Sequence, residues 1–153
     1  GAANEPRIMP SPSLCISQCA ALAYRRHGLG LQIVLVTSME TRRWVLPKGN
    51  IEDGMTAAES AALEAYEEAG VKGEISPERL GTYDYDKSNG SGDDLRRVAV
   101  FPMAVTRILS DWPEQAQRRR QWMSIEDAIL AVNEKQLKRL LARFAEAHAP
   151  RTS

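Results

Sequence analysis

The run from Gly49 to Val71 constrains the fold more tightly than any other stretch of this 153-residue chain. Thr56 followed by Glu59 at the third position on is a capping box, which predicts a helix starting near Ala57. Gly70 supplies the left-handed residue that ends it. At about 100° per residue, Ala58, Ala61, Ala62, Ala65 and Ala69 fall on one stripe. With nothing larger than methyl groups there, the helix can lie close against a sheet.

Glu64, Glu67 and Glu68 share another sector of this helix, at i, i+3 and i+4 spacing. Packing does not require the cluster, because like charges one turn apart destabilise a helix mildly unless a cation offsets them. Three carboxylates projecting together suit Mg²⁺ or Mn²⁺, hard ions that take a few carboxylates plus water and substrate phosphate. The competing explanation is an ordinary solvated acidic face. Just upstream, Trp44 to Leu46 reads as a short strand running through Pro47 and Lys48 into a glycine turn at Gly49.

The length fits one folded unit over 14–148, with 1–13 as a flexible N-terminal tail and 149–153 as a C-terminal one. Net charge is zero, so no global field draws the chain to nucleic acid or a membrane surface, and neither is an expected partner. No apolar run approaches the ~18 residues of a membrane span. Cys15 and Cys19 sit four apart on an expected strand, where buried thiols on one face are the default. They form neither a zinc site nor a disulfide framework, and a reducing cytoplasm is the expected location. Gly1 in place of Met leaves the native start open.

Strand character extends over Cys15–Tyr24 and Gln32–Thr37 around a turn with Gly28 and Gly30. A further strand is expected from Glu74 to Asp86, centred on Leu80–Tyr83. A polar, glycine-rich loop follows over Asp86–Asp94, expected to be mobile. Arg96–Val105 reads as a long strand, with Pro102 suggesting an edge or a bulge. Ser124 and Asp127 signal the start of a helix over Ile125–Val132. A second runs from Glu134 to about Ala147 with Leu137, Leu140, Leu141 and Phe144 on one face. Strands, a helix, more strands and C-terminal helices make an α+β chain, an α/β/α sandwich.

The loop and helix together resemble the Nudix box, G-x5-E-x7-R-E-U-x-E-E-x-G-U, where U is aliphatic. Gly49, Glu64, Glu67, Glu68, Gly70 and Val71 fall in register, while Met55 stands at the first glutamate and Leu63 at the arginine. The resemblance implies a mixed sheet flanked by helices. Across roughly Cys15 to Val132 the chain is similar to the diphosphoinositol polyphosphate phosphohydrolases, which also cleave diadenosine polyphosphates. That similarity rests on Arg43 to Pro47, Glu68 to Gly73, Ile108 to Trp112, and Arg118 to Trp122 continuing through Glu126 to Ile129.

The resemblance implies a Mg²⁺-dependent pyrophosphohydrolase (Mn²⁺ being the other ion considered) acting on a small-molecule phosphoanhydride. Glu64, Glu68 and the backbone carbonyl of Lys48 would hold the metal, and Glu67 would be the general base. Arg43, Arg96, Arg118 and Lys135 are the expected substrate-binding cations. In the family the box arginine helps orient the glutamates, and Leu63 has no polar group to replace it. Gln18, Met39, Asp94 and Leu95 stand where that branch has basic or hydrogen-bonding residues. Two alternatives stay open. One is a hydrolase of nucleoside triphosphates or capped RNA; the other is an impaired phosphate-binding module, given Met55 and Leu63. Trp44 and Trp122 are read as structural, and Tyr83 and Tyr85 as strand residues within reach of a base.

Overall fold

In the computed structural model, residues 14–88 and 90–149 are described. The proposed tails at 1–13 and beyond Ala149 lie outside them. Strands β1 (Ile16–His27), β2 (Gly30–Thr37), β3 (Trp44–Val45) and β4 (Lys48–Asn50) precede helix α1 (Ala57–Ala69). Then come β5 (Val71–Ile75), β6 (Gly81–Asp86), β7 (Leu95–Ile108), β8 (Arg120–Ser124), α2 (Ile125–Ala131) and α3 (Lys135–Ala147). They form a mixed sheet of order β3-β2-β1-β7-β5, with β4 on β1, β6 on β7 and β8 on β2. Helices flank it, as expected.

The centre is the parallel pair β1 and β7, and a strand there must be covered on both faces. Alternation along β1 divides the core accordingly. Ala20 and Leu22 join Ile33, Leu35 and the helix residues Ile125, Leu137, Leu141 and Phe144. Cys19, Ala21 and Ala23 face the other way, onto Ala58, Ala61, Ala65 and Ala69 of α1. The alanine stripe therefore does what its size allows. Ala62, on the edge of the stripe, is only half-buried.

Local signals set the helix ends. Thr56 Oγ1 accepts the Glu59 N–H at 3.0 Å while Glu59 Oε1 accepts the Thr56 N–H at 2.8 Å, so the capping box is complete. Gly70 ends α1 with φ +65°, and a Cβ there would also meet the Trp112 ring at 2.5 Å. Ser124 caps α2 by accepting the Asp127 N–H.

Four expectations are corrected. The segment Glu74–Asp86 is not one strand: β5 and β6 both pair with β7, separated by a bend at Pro77 and Glu78. Pro102 lies in a central strand rather than at an edge. Its carbonyl accepts the Ser76 N–H at 2.8 Å. In an extended strand the nitrogen faces the same side, so the missing donor falls in the gap between β5 and β6. Cys15 precedes β1 and is exposed, because the register shift between Ile16 and Gln18 breaks the alternation that would bury it with Cys19. Lys48–Asn50 is a strand rather than a turn, since pairing with Gln18–Ala20 outweighs its Pro-Lys-Gly composition.

In the glycine-rich loop after β6, the Asp86 carboxylate accepts N–H bonds from Ser88, Gly90 and Gly92. The Ser88 hydroxyl, which also donates to this carboxylate, and then those N–H bonds hold its carboxyl down at about 2.

The close approach of α1 is testable. Ala65→Leu should destabilise the fold by about 1–3 kcal/mol through overpacking, and Ala62→Leu by clearly less, in urea denaturation. Equal effects would contradict the orientation of the helix.

Candidate active site

Strand β4 brings the backbone of Lys48–Asn50 across β1 to the last two turns of α1. Glu64 and Glu68 point into this junction and are only 8% and 4% exposed. Gly49 is a glycine here because a Cβ would collide with the Glu64 carboxyl group. The Lys48 N–H donates to Glu68 Oε1 at 3.2 Å. Arg118 Nη2 lies 3.3 Å from Glu68 Oε2. The same guanidinium donates to Glu114 Oε1 at 2.7 Å and to the Thr37 carbonyl at 3.1 Å.

The two carboxyl groups lie one helical turn apart, close enough to influence each other. Burial pushes both upward. Glu68 reaches about 8, even though the neighbouring Arg118 charge pulls it down. One arginine is therefore too little positive charge for two desolvated carboxylates. A donor set of buried, hard oxygens short of countercharge fits a divalent cation of the Mg²⁺ type.

Glu67 stands differently. Among the described residues, no three acidic, histidine or cysteine side chains gather into an ion-holding group. The expected convergence of three carboxylates is thus reduced to a pair plus a neighbour. The physical reason lies in the helix: consecutive residues are about 100° apart around the axis, so Glu67 cannot share the direction of Glu68. Its side chain is half-buried and lines neither of the cavities beside this junction, and its carbonyl accepts the Glu114 N–H at 2.9 Å.

Glu114 and Gln18 are the site residues that sequence reasoning missed or undervalued. Glu114 adds a further carboxylate beside Arg118 and raises Glu64 electrostatically; its i, i+4 spacing from Arg118 was the available signal. Gln18, buried, donates to Asn50 Oδ1 at 3.1 Å and accepts from the Tyr85 hydroxyl at 2.8 Å. Lys48 Nζ reaches that hydroxyl at 3.4 Å and sits 4.4 Å from the Tyr85 ring centre. Burial holds its ammonium below the usual lysine value.

Two adjoining cavities open here. The smaller, about 260 Å³, lies over Glu68, Lys48, Gln18 and Arg118. The larger, about 490 Å³, is lined by Arg43, Trp44, Lys48, Tyr83 and Tyr85. Of the expected substrate cations, Arg43 and Arg118 border these cavities. Arg96 and Lys135 border neither. Arg96 is paired with Asp94 at 2.7 Å, and Lys135 is exposed at the start of α3.

The final turn of α1 is held from outside. Trp112 Nε1 donates to the Glu68 carbonyl at 3.1 Å. Arg120 donates to the carbonyls of Ala69 at 3.0 Å and Leu109 at 2.9 Å, with its guanidinium 3.9 Å from the Trp112 ring centre. A cation satisfying the last carbonyls of a helix suits its negative end. Arg120 is thus structural rather than a phosphate ligand.

A family model described as NUDIX domain matches residues 18–144. The chain belongs to the Nudix family. Members generally use divalent metal ions. Nudix hydrolase 12, mitochondrial, of Arabidopsis thaliana is 33% identical over 118 residues, which are 74% of this chain and 58% of that protein. Diphosphoinositol polyphosphate phosphohydrolase 3-alpha of Mus musculus is 33% identical over 114 residues, covering 73% of this chain and 66% of the mouse protein. The chain therefore spans little more than half the length of its Arabidopsis relative. Among solved structures, the C. elegans Ap4A hydrolase superposes with a TM-score of 0.68 at 19% identity, covering 88% of this chain and 100% of that one. This likeness is one of fold. No helix among the described residues is long and apolar enough to cross a membrane.

The raised Glu68 sets a sign for pH dependence. Its folded value, about 8, lies above the ordinary 4.5, so the folded state retains a proton that the unfolded chain releases. Its stabilising contribution is complete below about 4.5 and is lost as pH rises through 8. In EDTA, the melting temperature should fall across this window, and Glu68→Gln should flatten the fall. A melting temperature rising from pH 5 to 8 would contradict the burial argument. Separately, Arg120→Ala should cost about 2–3 kcal/mol in denaturant titrations, the weight of a charged hydrogen-bonding group at buried carbonyls.

Proposed function

We infer that this Nudix chain is a pyrophosphohydrolase that cleaves a P–O–P bond in a nucleoside or inositol polyphosphate, of the diadenosine polyphosphate or diphosphoinositol polyphosphate type. The observation that carries the reading is the buried Glu64–Glu68 pair, short of positive charge, whose Glu68 lines a cavity bordered by Lys48 and Arg118. Glu64, Glu68 and the Lys48 carbonyl would hold Mg²⁺ or Mn²⁺. When bound, such an ion neutralises phosphate oxygens and lowers the pKa of a coordinated water.

The chain's own residues do the rest. Glu67, half-buried on α1 and apart from the pair, takes the proton from the attacking water. Lys48 and Arg118 bind phosphate oxygens, each already placed by a second partner, Tyr85 and Glu114. Arg118 also compensates for Leu63: with the Lys48 N–H it orients Glu68 from outside the helix. The Ser60 hydroxyl donates to Met55 Sδ at 3.9 Å, and a thioether supplies no ligand oxygen. Retention of Glu67 favours an enzyme over a binding module, since phosphate binding alone needs no base. One exposed and one buried thiol fit a reducing compartment, the cytoplasm in this reading.

The test is phosphate release with Mg²⁺ or Mn²⁺ from a panel of diadenosine polyphosphates, an inositol pyrophosphate and nucleoside triphosphates. Glu67→Gln should lower kcat by roughly 10²–10⁴-fold with KM little changed. Tight binding without turnover across the panel would replace the enzyme by a binding module.

A further inference from the structure

Glu68 is claimed by two donors of different kinds. The Lys48 N–H reaches Oε1 at 3.2 Å from the backbone of β4, which its pairing with β1 keeps in place. Arg118 Nη2 lies 3.3 Å from Oε2, at the end of a side chain. Arg118 holds its other partners harder: Nε donates to Glu114 Oε1 at 2.7 Å and Nη1 to the Thr37 carbonyl at 3.1 Å. A charge-assisted N–H to carboxylate bond is usually about 2.7–2.9 Å long, so the bond to Glu114 is the strong one and the contact with Glu68 the loose one.

Glu114 is itself fastened to the site. Its N–H donates to the Glu67 carbonyl at 2.9 Å, and its own carbonyl accepts the Arg118 N–H at 3.2 Å. The guanidinium thus has an anchor tied to α1 that does not involve Glu68. Arg118 lines the smaller cavity together with Glu68, Lys48 and Gln18. A divalent ion on Glu68 would stand beside this fixed positive charge, and like charges so close repel strongly in a desolvated pocket. Of the two donors on Glu68, the side chain is the one that can yield.

We propose that Arg118 and the divalent ion compete for Glu68: the ion's arrival moves Nη2 off the carboxylate and gives its N–H to a substrate phosphate, while Glu114 is the positioning residue that keeps the guanidinium at the cavity. Metal loading and anhydride binding are thereby coupled through one arginine, and the coupling is reciprocal. This rests on the phosphoanhydride reading above and deepens it, but its test requires no turnover.

Titrate the full chain with Mn²⁺ alone, followed by electron paramagnetic resonance. Arg118→Gln should bind Mn²⁺ at least about fivefold tighter than wild type, the low end of ordinary coupling between sites. Arg118→Lys, which restores a positive charge, should return the affinity toward the wild-type value. Glu114→Gln should weaken Mn²⁺ binding, because Glu68 is then the carboxylate left to the guanidinium. Residues that merely support the fold would give losses at both positions. In EDTA, calorimetry should show pyrophosphate binding at least about fivefold tighter to Glu68→Gln than to Glu64→Gln. Both variants remove one negative charge, and the first also frees Arg118. Unchanged or weakened Mn²⁺ affinity in Arg118→Gln would overturn the competition, as would equal pyrophosphate affinities in the two glutamate variants. Should Arg118→Gln fail to fold in urea denaturation, Glu114→Gln decides, and an unchanged or tighter Mn²⁺ affinity there overturns the proposal. Absence of hydrolysis in the phosphate-release assay would instead defeat the catalytic reading and leave the competition standing.

Discussion

Two carboxylates one helical turn apart, desolvated together, create a local shortage of positive charge around which much of the molecule is arranged. Glu64 and Glu68 are buried because α1 lies flat on the sheet, and α1 lies flat because its inward face is alanine. Gly49 lets β4 pass over Glu64 without a clash, and the Lys48 N–H then meets Glu68. Arg118 supplies part of the missing charge, yet Glu68 is still raised to about 8. A pair in this state is costly for stability and suited to recruiting a cation, a common conflict at functional sites.

The surroundings fix that pair in place rather than relieve it. Trp112 and Arg120 tie down the last carbonyls of α1, and the Glu114 N–H ties the following loop to Glu67. Residues far apart in sequence thus hold one helical turn from three sides. The arrangement explains how the chain manages without the box arginine: orientation of Glu68 comes from Lys48 and Arg118, neither of them on the helix. Glu67, turned about 100° from Glu68 around the helix axis, is half-buried and stands apart from the paired carboxylates.

What could be read from sequence was what local chemistry decides. Thr56, Glu59 and Gly70 mark the ends of α1 whatever surrounds them, and the alanine stripe and the apolar face of α3 follow from periodicity alone. The family resemblance carried the glutamates. What could not be read depends on partners distant along the chain. Lys48–Asn50 looks like a turn until β1 pairs with it. Pro102 looks like an edge residue until the gap between β5 and β6 is seen. Arg118 reads as a substrate cation, and its second task of holding Glu68 becomes visible only once β8 brings it beside α1. Arg96, in contrast, was placed with the substrate although Asp94, two residues away, already claims it.

The most direct measurement is a Mn²⁺ titration followed by electron paramagnetic resonance on the wild-type chain and on Glu64→Gln, Glu67→Gln and Glu68→Gln. If the buried pair is the cation seat, Glu64→Gln and Glu68→Gln should each weaken Mn²⁺ binding by roughly 10–100-fold, while Glu67→Gln changes it little. Equal losses at all three positions, or affinity indifferent to Glu64 and Glu68, would contradict it.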